Sequence, residues 1–262
     1  MRSAVVITGP LSKGFYSVGN QTLSSVLPLE QTRTTQTFYF LTGLDVLTED
    51  DNRAVILYGD SITAQSWADY LAIKCMDDPY NKTSVIRRAA SGTRILREYS
   101  CLTYESYGLC GKNRFLREIS TVSCADTVII HQGINDIIHP VGTEVNPFRP
   151  MSDLPTCEEL QKGFEYYIKT AKERGLRTLA GTLLPIYGWR TYAPFREELK
   201  NAFNGWLRGE CGADGCIDFD KALRSDKNPA AFAEGFDSGD HLHPSEAAYK
   251  KMAELAFEHI GL

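Results

Sequence analysis

No stretch of this chain approaches the run of about 18 apolar residues that a membrane-spanning helix requires. The N-terminal segment Met1-Arg2-Ser3-Ala4-Val5-Val6-Ile7-Thr8-Gly9-Pro10 has an apolar core too short for a secretory leader. The expectation is a cytoplasmic protein, or a secreted one whose leader has been removed. Basic clusters are as scarce. Arg87-Arg88 and Lys250-Lys251 are the only adjacent basic pairs, and the formal net charge is -5. Nucleic acid is not expected as a partner, because phosphate binding needs clustered Lys and Arg to displace counterions. Cysteine is sparse and its count odd: the seven lie at 75, 101, 110, 124, 157, 211 and 216. Cys101 with Cys110, or Cys211 with Cys216, could bridge. Neither pair has zinc-ribbon spacing or a histidine close by, so free thiols in a reducing compartment are the preferred reading. No internal repeat, no low-complexity tract and no Gly-x-Ser-x-Gly elbow occurs.

What is present is an ordinary globular composition, 43% hydrophobic and 23% charged over 262 residues, enough for one α/β domain with a short accessory segment. From about residue 54, apolar runs alternate with amphipathic stretches. Strands are expected at Ala54-Val55-Ile56-Leu57-Tyr58, more weakly at Ser84-Val85-Ile86, then at Thr127–His131, Leu176–Leu184 and Cys216–Phe219. Helices are expected near Ser66–Met76, Cys157–Arg174, Phe195–Arg208, and from Pro244 onward. Strands separated by helices imply a three-layer α/β/α sandwich around a parallel sheet, with chemistry beyond the carboxyl ends of its strands. Residues 1–52 read differently. Val5-Val6-Ile7, Gly14–Val18 and Thr37–Leu41 look like β segments without a helix period, a β appendage or module remnant too short for its own core.

Four short runs fall on or near the carboxyl rim. They are Gly59-Asp60-Ser61-Ile62-Thr63, Ala90-Ser91-Gly92-Thr93-Arg94, Gly133-Ile134-Asn135-Asp136 and Asp240-His241-Leu242-His243-Pro244. Acyl transfer needs a nucleophile, a base, a carboxylate to orient the base, and an oxyanion hole. Ser61 between strand and helix suits the nucleophile, with its amide near a helix N-terminus. His243 suits the base and Asp240 its orienting carboxylate. The amides of Ser61 and Gly92 and the side chain of Asn135 suit the oxyanion hole; glycine at 92 lets a substrate approach the backbone.

In this order the four runs resemble the blocks of the SGNH, or GDSL-like, hydrolases, over about residues 54 to 262. The resemblance implies a flavodoxin-like hydrolase fold and a Ser-His-Asp serine esterase without metal or other cofactor. Ser238–Pro244 and Thr182-Leu183-Leu184-Pro185 are similar to the acetylxylan-esterase branch of carbohydrate esterases, whose members often carry a β module ahead of the hydrolase. That implies acetyl esters on xylan-type oligosaccharides as substrate. Ala64-Gln65 and Thr93 depart from the common pattern beside the site. The alternatives are a lipase, lysophospholipase or thioesterase for longer acyl chains, and a non-catalytic carbohydrate-binding protein, which would be expected to lose Ser61 or His243. Self-association into a homo-oligomer stays open.

The remaining candidates have plainer readings beside them. Tyr187, Trp189 and Tyr192 on the rim could stack on sugar faces or simply pack a long loop. Arg94 and Arg190 could contact substrate oxygens or be solvated surface. His131 reads as a core or near-site histidine and His139 as loop. A metal site of Asp240, His241 and His243 would leave Ser61 and Asn135 unexplained.

Overall fold

The computed structural model describes residues 5–6, 9–38 and 43–261. The chain begins with two small antiparallel ladders. Strand β1 (Val5–Val6) pairs with β4 (Thr37–Phe38), and β2 (Gly14–Ser17) with β3 (Thr32–Thr35), Gly14 facing Thr35 and Ser17 facing Thr32. Of the expected strands, the one at 14–18 ends at Ser17, while those at 5–7 and 37–41 are strand throughout their described residues, 5–6 and 37–38; positions 7 and 39–41 lie outside the described residues. The Thr-Arg-Thr-Thr strand β3 was not anticipated; its β-branched residues suit a half-exposed ladder. Phe15, Tyr16 and Val18 remain exposed. The segment is clipped to the rest of the chain at Asp69, whose Oδ2 accepts the Leu11 amide at 2.8 Å and the Ser12 hydroxyl at 2.9 Å.

The main body is a five-stranded parallel sheet: β5 (Arg53–Gly59), β6 (Thr83–Ala89), β7 (Ala125–His131), β8 (Arg177–Gly181) and β9 (Gly215–Ile217), in spatial order β6-β5-β7-β8-β9. Its helices are α1 (Trp67–Asp77), α2 (Gly111–Ser120), α3 (Ile134–Ile138), α4 (Cys157–Lys172), α5 (Pro194–Gly209), α6 (Phe219–Leu223) and α7 (Glu246–Ile260). Helices α1 and α7 pack together on one face, and α2, α4 and α5 on the other, giving the α/β/α sandwich. Val55, Ile56, Leu57 and Tyr58 are wholly buried, as a strand covered on both faces requires. Helix α4 starts with a capping box of Thr156 and Glu159 and turns Leu160, Phe164, Tyr167 and Ile168 inward. The chain leaves β5 toward β6 but leaves β7 toward β8 on the opposite side. The β5–β7 crevice is therefore the topological switch point where such sheets hold ligands.

Several boundaries differ from the sequence reading. Strand β6 runs through Arg87 and Arg88 to Ala89, because both arginines are ion-paired, Arg87 with Asp69 and Arg88 with Glu118. Strand β8 stops at Gly181, since the Asn204 side chain takes over the Leu183 backbone, accepting from its N–H at 2.7 Å and donating to its carbonyl at 2.8 Å. Strand β9 ends before Phe219, where Asp218 caps α6 by accepting the Lys221 amide. Helix α7 starts at Glu246 with Ser245 as its cap, leaving Pro244 outside. All seven cysteines are free thiols. Among the described residues no helix is long and apolar enough to cross a membrane.

Candidate active site

Ser61 leaves the end of β5 in a turn, with the Ala64 amide reaching back to the Asp60 carbonyl at 2.9 Å. Helix α1 begins only at Trp67, so a turn rather than a helix N-terminus presents the Ser61 amide. The Ser61 Oγ lies 2.9 Å from Nε2 of His243, and Nδ1 of His243 lies 2.6 Å from Oδ2 of Asp240. An ionised carboxylate can only accept, so the imidazole proton sits on Nδ1 and leaves Nε2 to accept from the serine hydroxyl.

The carboxylate of Asp240 does two things. Its Oδ1 accepts the backbone amides of Leu242 at 3.0 Å and His243 at 2.8 Å, fixing the turn, while Oδ2 holds the ring. Partial burial would raise its pKa, but the hydrogen bond from the His243 ring and those from the two amides outweigh that and hold it below the ordinary value.

The second and third runs are bolted together beside Ser61. Gly92 is buried with φ +75°, a conformation that favours glycine, and a Cβ there would come within 2.6 Å of the Tyr107 ring. The side-chain amide of Asn135 donates to the Thr93 carbonyl at 3.1 Å, and Gln132 donates to the Thr93 hydroxyl at 2.8 Å. Asp136 accepts the amides of Ile95 at 2.7 Å and Leu96 at 3.1 Å. Burial pushes the Asp136 carboxyl up to about 6 against those two bonds. Among the described residues the amides of Ser61 and Gly92 donate to no other group. The result is a hydroxyl relayed to a carboxylate through an imidazole, with uncommitted N–H groups close in the fold. Such an arrangement suits attack on a carbonyl and stabilisation of the oxyanion that follows.

Asp60, next to the serine, is fully buried; Oδ1 accepts the Ile62 amide at 3.1 Å and Oδ2 has no partner. Burial, helped by the charge of Asp136, pushes its carboxyl up to about 7. His131 ends β7 with Nε2 donating to the Thr182 carbonyl at 3.2 Å, and burial lowers it to about 4, so it is neutral.

The structure separates the other candidates. Arg94 is 1% exposed: Nη1 pairs with Asp153 at 2.8 Å, while Nε and Nη2 donate to the carbonyls of Arg97 and Glu98. It therefore offers no surface to a substrate, and the reading of Arg94 as a substrate contact is corrected to a buried ion pair. Tyr187 is exposed and meets Tyr192 edge-on at 5.1 Å; Trp189 is half-buried against the core beneath Arg190, 4.6 Å from its ring. His139 is not a loop side chain but a buried one, bonded to the Tyr99 hydroxyl and stacked on Tyr107. His241 carries its own carboxylate, Asp237, at 2.5 Å, and its ring lies so close over Gly188 that a Cβ there would meet it at 2.8 Å. Among the described residues no cluster of three metal-ligating side chains forms, so Asp240, His241 and His243 do not make a metal site. Asp136 stood in the Gly133-Ile134-Asn135-Asp136 run without a role of its own, and Gln132, just ahead of that run, carried none either.

The profile of the GDSL-like lipase/acylhydrolase family matches residues 57–251. Among solved structures, the chain is similar to a putative acylhydrolase from Bacteroides fragilis, at 17% identity over 81% of this chain and 88% of that one, with a TM-score of 0.59. It is also similar to an acetyl xylan esterase from Geobacillus stearothermophilus, at 16% identity over 80% and 94% of the two chains, with a TM-score of 0.59. A third is a putative lipolytic protein of the G-D-S-L family from Desulfitobacterium hafniense, at 18% identity over 79% and 99%, with a TM-score of 0.57. These likenesses show the fold. No curated protein matches the chain.

Proposed function

Because the chain belongs to the GDSL-like lipase/acylhydrolase family, we propose that it is a serine esterase cleaving short acyl esters, acetyl groups on carbohydrate foremost. The single observation that carries this is the unbroken relay from Ser61 through His243 to Asp240, at 2.9 and 2.6 Å. Ser61 Oγ bonds to the ester carbonyl carbon as its proton passes to Nε2 of His243. The carbonyl oxygen takes the negative charge and is met by the amides of Ser61 and Gly92 and by the Asn135 side chain. When the tetrahedral centre collapses, the C–O bond to the alcohol breaks and His243 returns the proton to the leaving oxygen. Water then attacks the acyl-serine, gives its proton to His243, and the carboxylic acid departs as Ser61 recovers the proton.

The substrate half of this reading is supported by the exposed Tyr187 and Arg190 and the half-buried Trp189, aromatic and cationic groups on the loop after β8 that suit a sugar ring. The experiment is acetate release from acetylated xylan oligomers, set beside hydrolysis of 4-nitrophenyl esters from C2 to C8. Release of acetate with a preference for C2 is the expected outcome. A preference for C8 without acetate release would assign the protein to longer acyl chains instead.

A further inference from the structure

The loop that follows α3 carries a buried cation with nothing to hold. Arg149 is only 9% exposed, yet among the described residues its guanidinium makes no hydrogen bond and no ion pair, and its Nε is sealed from water without a partner. What it has is aromatic: it stacks 4.3 Å over the ring of Tyr104 and lies 5.8 Å from that of Tyr99. The other buried arginines of this quarter have acceptors for their terminal nitrogens, although the Arg196 Nε is likewise sealed without a partner. Arg94 has Asp153 and two carbonyls, and Arg196 has the carbonyls of Ile137 and Pro140. In Arg149 only the Nε is sealed, so the two terminal nitrogens keep an open side with no acceptor on it, whereas cations so far buried are normally paired.

The position of this group is informative. Tyr104 adjoins Tyr99 at 5.0 Å and Tyr107 at 5.5 Å, Tyr107 presses on Gly92, and the Tyr99 hydroxyl donates to the Gly92 carbonyl at 3.3 Å. One layer of tyrosine rings thus separates Arg149 from Gly92. The loop is also fixed in place: the Arg149 carbonyl accepts the amides of Val141 and Gly142, and Asn146 donates to the Tyr104 hydroxyl at 2.7 Å. The nearby carboxylates are occupied elsewhere, Asp153 by Arg94 and Arg97, and Asp136 by two backbone amides.

We propose that Arg149, on its tyrosine platform beside the Gly92 loop, is an anion subsite that selects carboxylate-bearing esters. The planar fork of a guanidinium matches a carboxylate in a bidentate pair, and the flat ring wall suits a sugar carrying one. The inference rests on the esterase reading for the word ester, but the subsite itself is tested without turnover. In calorimetry, digalacturonate should bind the wild-type protein and the Ser61→Ala variant at least tenfold more tightly than xylobiose, and Arg149→Met should lose that preference. Arg149→Met should melt no lower than the wild type, since it removes an unpaired buried charge; a clear fall would mark a purely structural stacking role and overturn the proposal. The wild-type comparison stands even where a variant folds poorly, and Arg149→Lys, which keeps the charge but not the fork, should recover part of the binding.

Two ester pairs then locate the carboxylate. Phenyl acetate against 4-acetoxybenzoate places it on the alcohol half, and 4-nitrophenyl butyrate against mono(4-nitrophenyl) succinate on the acyl half. In one pair the charged ester should have a KM at least tenfold lower, and the advantage should vanish in Arg149→Met. Equal KM within both pairs, with no preference for digalacturonate, overturns the subsite. Digalacturonate binding that depends on Arg149 while all four esters go unhydrolysed would uphold the subsite and overturn the esterase reading.

Discussion

The ring of Tyr107 lies against Gly92 so closely that a Cβ on residue 92 would approach it to 2.6 Å. Gly92 also holds φ at +75°, where a side chain is strained whatever the space. Gly92→Ala should therefore cost about 1–3 kcal/mol of stability and displace an oxyanion donor, lowering kcat by about 100-fold. The double variant Gly92→Ala with Tyr107→Ala removes the clash, so its destabilisation should fall short of the sum of the single changes. Chemical denaturation of the four proteins checks this, and additive costs would mean that the contact is not what fixes the loop.

Asn135 is pinned by its bond to the Thr93 carbonyl, which uses one of its two amide hydrogens. The second is the proposed donor to the oxyanion. Because that bond is made only as charge develops, Asn135→Ala should reduce kcat by roughly 100-fold or more with little change in KM. Steady-state kinetics on 4-nitrophenyl acetate decides the point, and an unchanged kcat removes Asn135 from the hole.

Asp240 orients His243 but does not itself move a proton. Replacing the base should thus be the worse injury: His243→Ala is expected to cost about 10-fold to 100-fold more in kcat than Asp240→Ala, the order seen when triad members are removed singly. The reverse ranking would show that the two roles had been assigned the wrong way round.

The buried carboxyl of Asp60 gives a pH signature. An unfolded aspartate titrates near about 3.9, whereas burial keeps Asp60 protonated up to about 7. Between these values the folded chain binds a proton that the unfolded chain has released, so this group makes stability fall as pH rises. Above about pH 7 the penalty is complete, at roughly 4 kcal/mol by linkage. Asp60→Asn keeps an oxygen for the Ile62 amide and removes the penalty. Its melting temperature relative to wild type should be nearly level at pH 4, climb through pH 5 to 7, and reach a plateau by pH 8. A difference that stays constant across that range would contradict the assignment.

Much of this was legible in the chain itself, for a physical reason. The four runs sit at strand ends or before a helix, so a local apolar pattern locates Ser61, Gly92, Asn135 and His243 on one rim. What stayed hidden depends on partners distant in sequence. Arg94 looks like a rim cation until Asp153 is brought to 2.8 Å. Leu183 looks like strand until Asn204 bonds both of its backbone groups. Helix α2 escaped because its inward face mixes Phe115 and Ile119 with Gly111 and the buried Arg114, whose guanidinium donates to the Gly59 carbonyl at 2.7 Å. The aromatic wall of Tyr99, Tyr104 and Tyr107 carries no period at all, lying in irregular chain and a 3₁₀ turn.

The most direct test of the central claim is turnover of 4-nitrophenyl acetate by Ser61→Ala, with melting temperature measured on the same sample. The serine-nucleophile account predicts a loss of at least roughly 10⁴-fold in kcat with a melting temperature close to that of the wild type. Retained hydrolysis in a folded Ser61→Ala protein would contradict it.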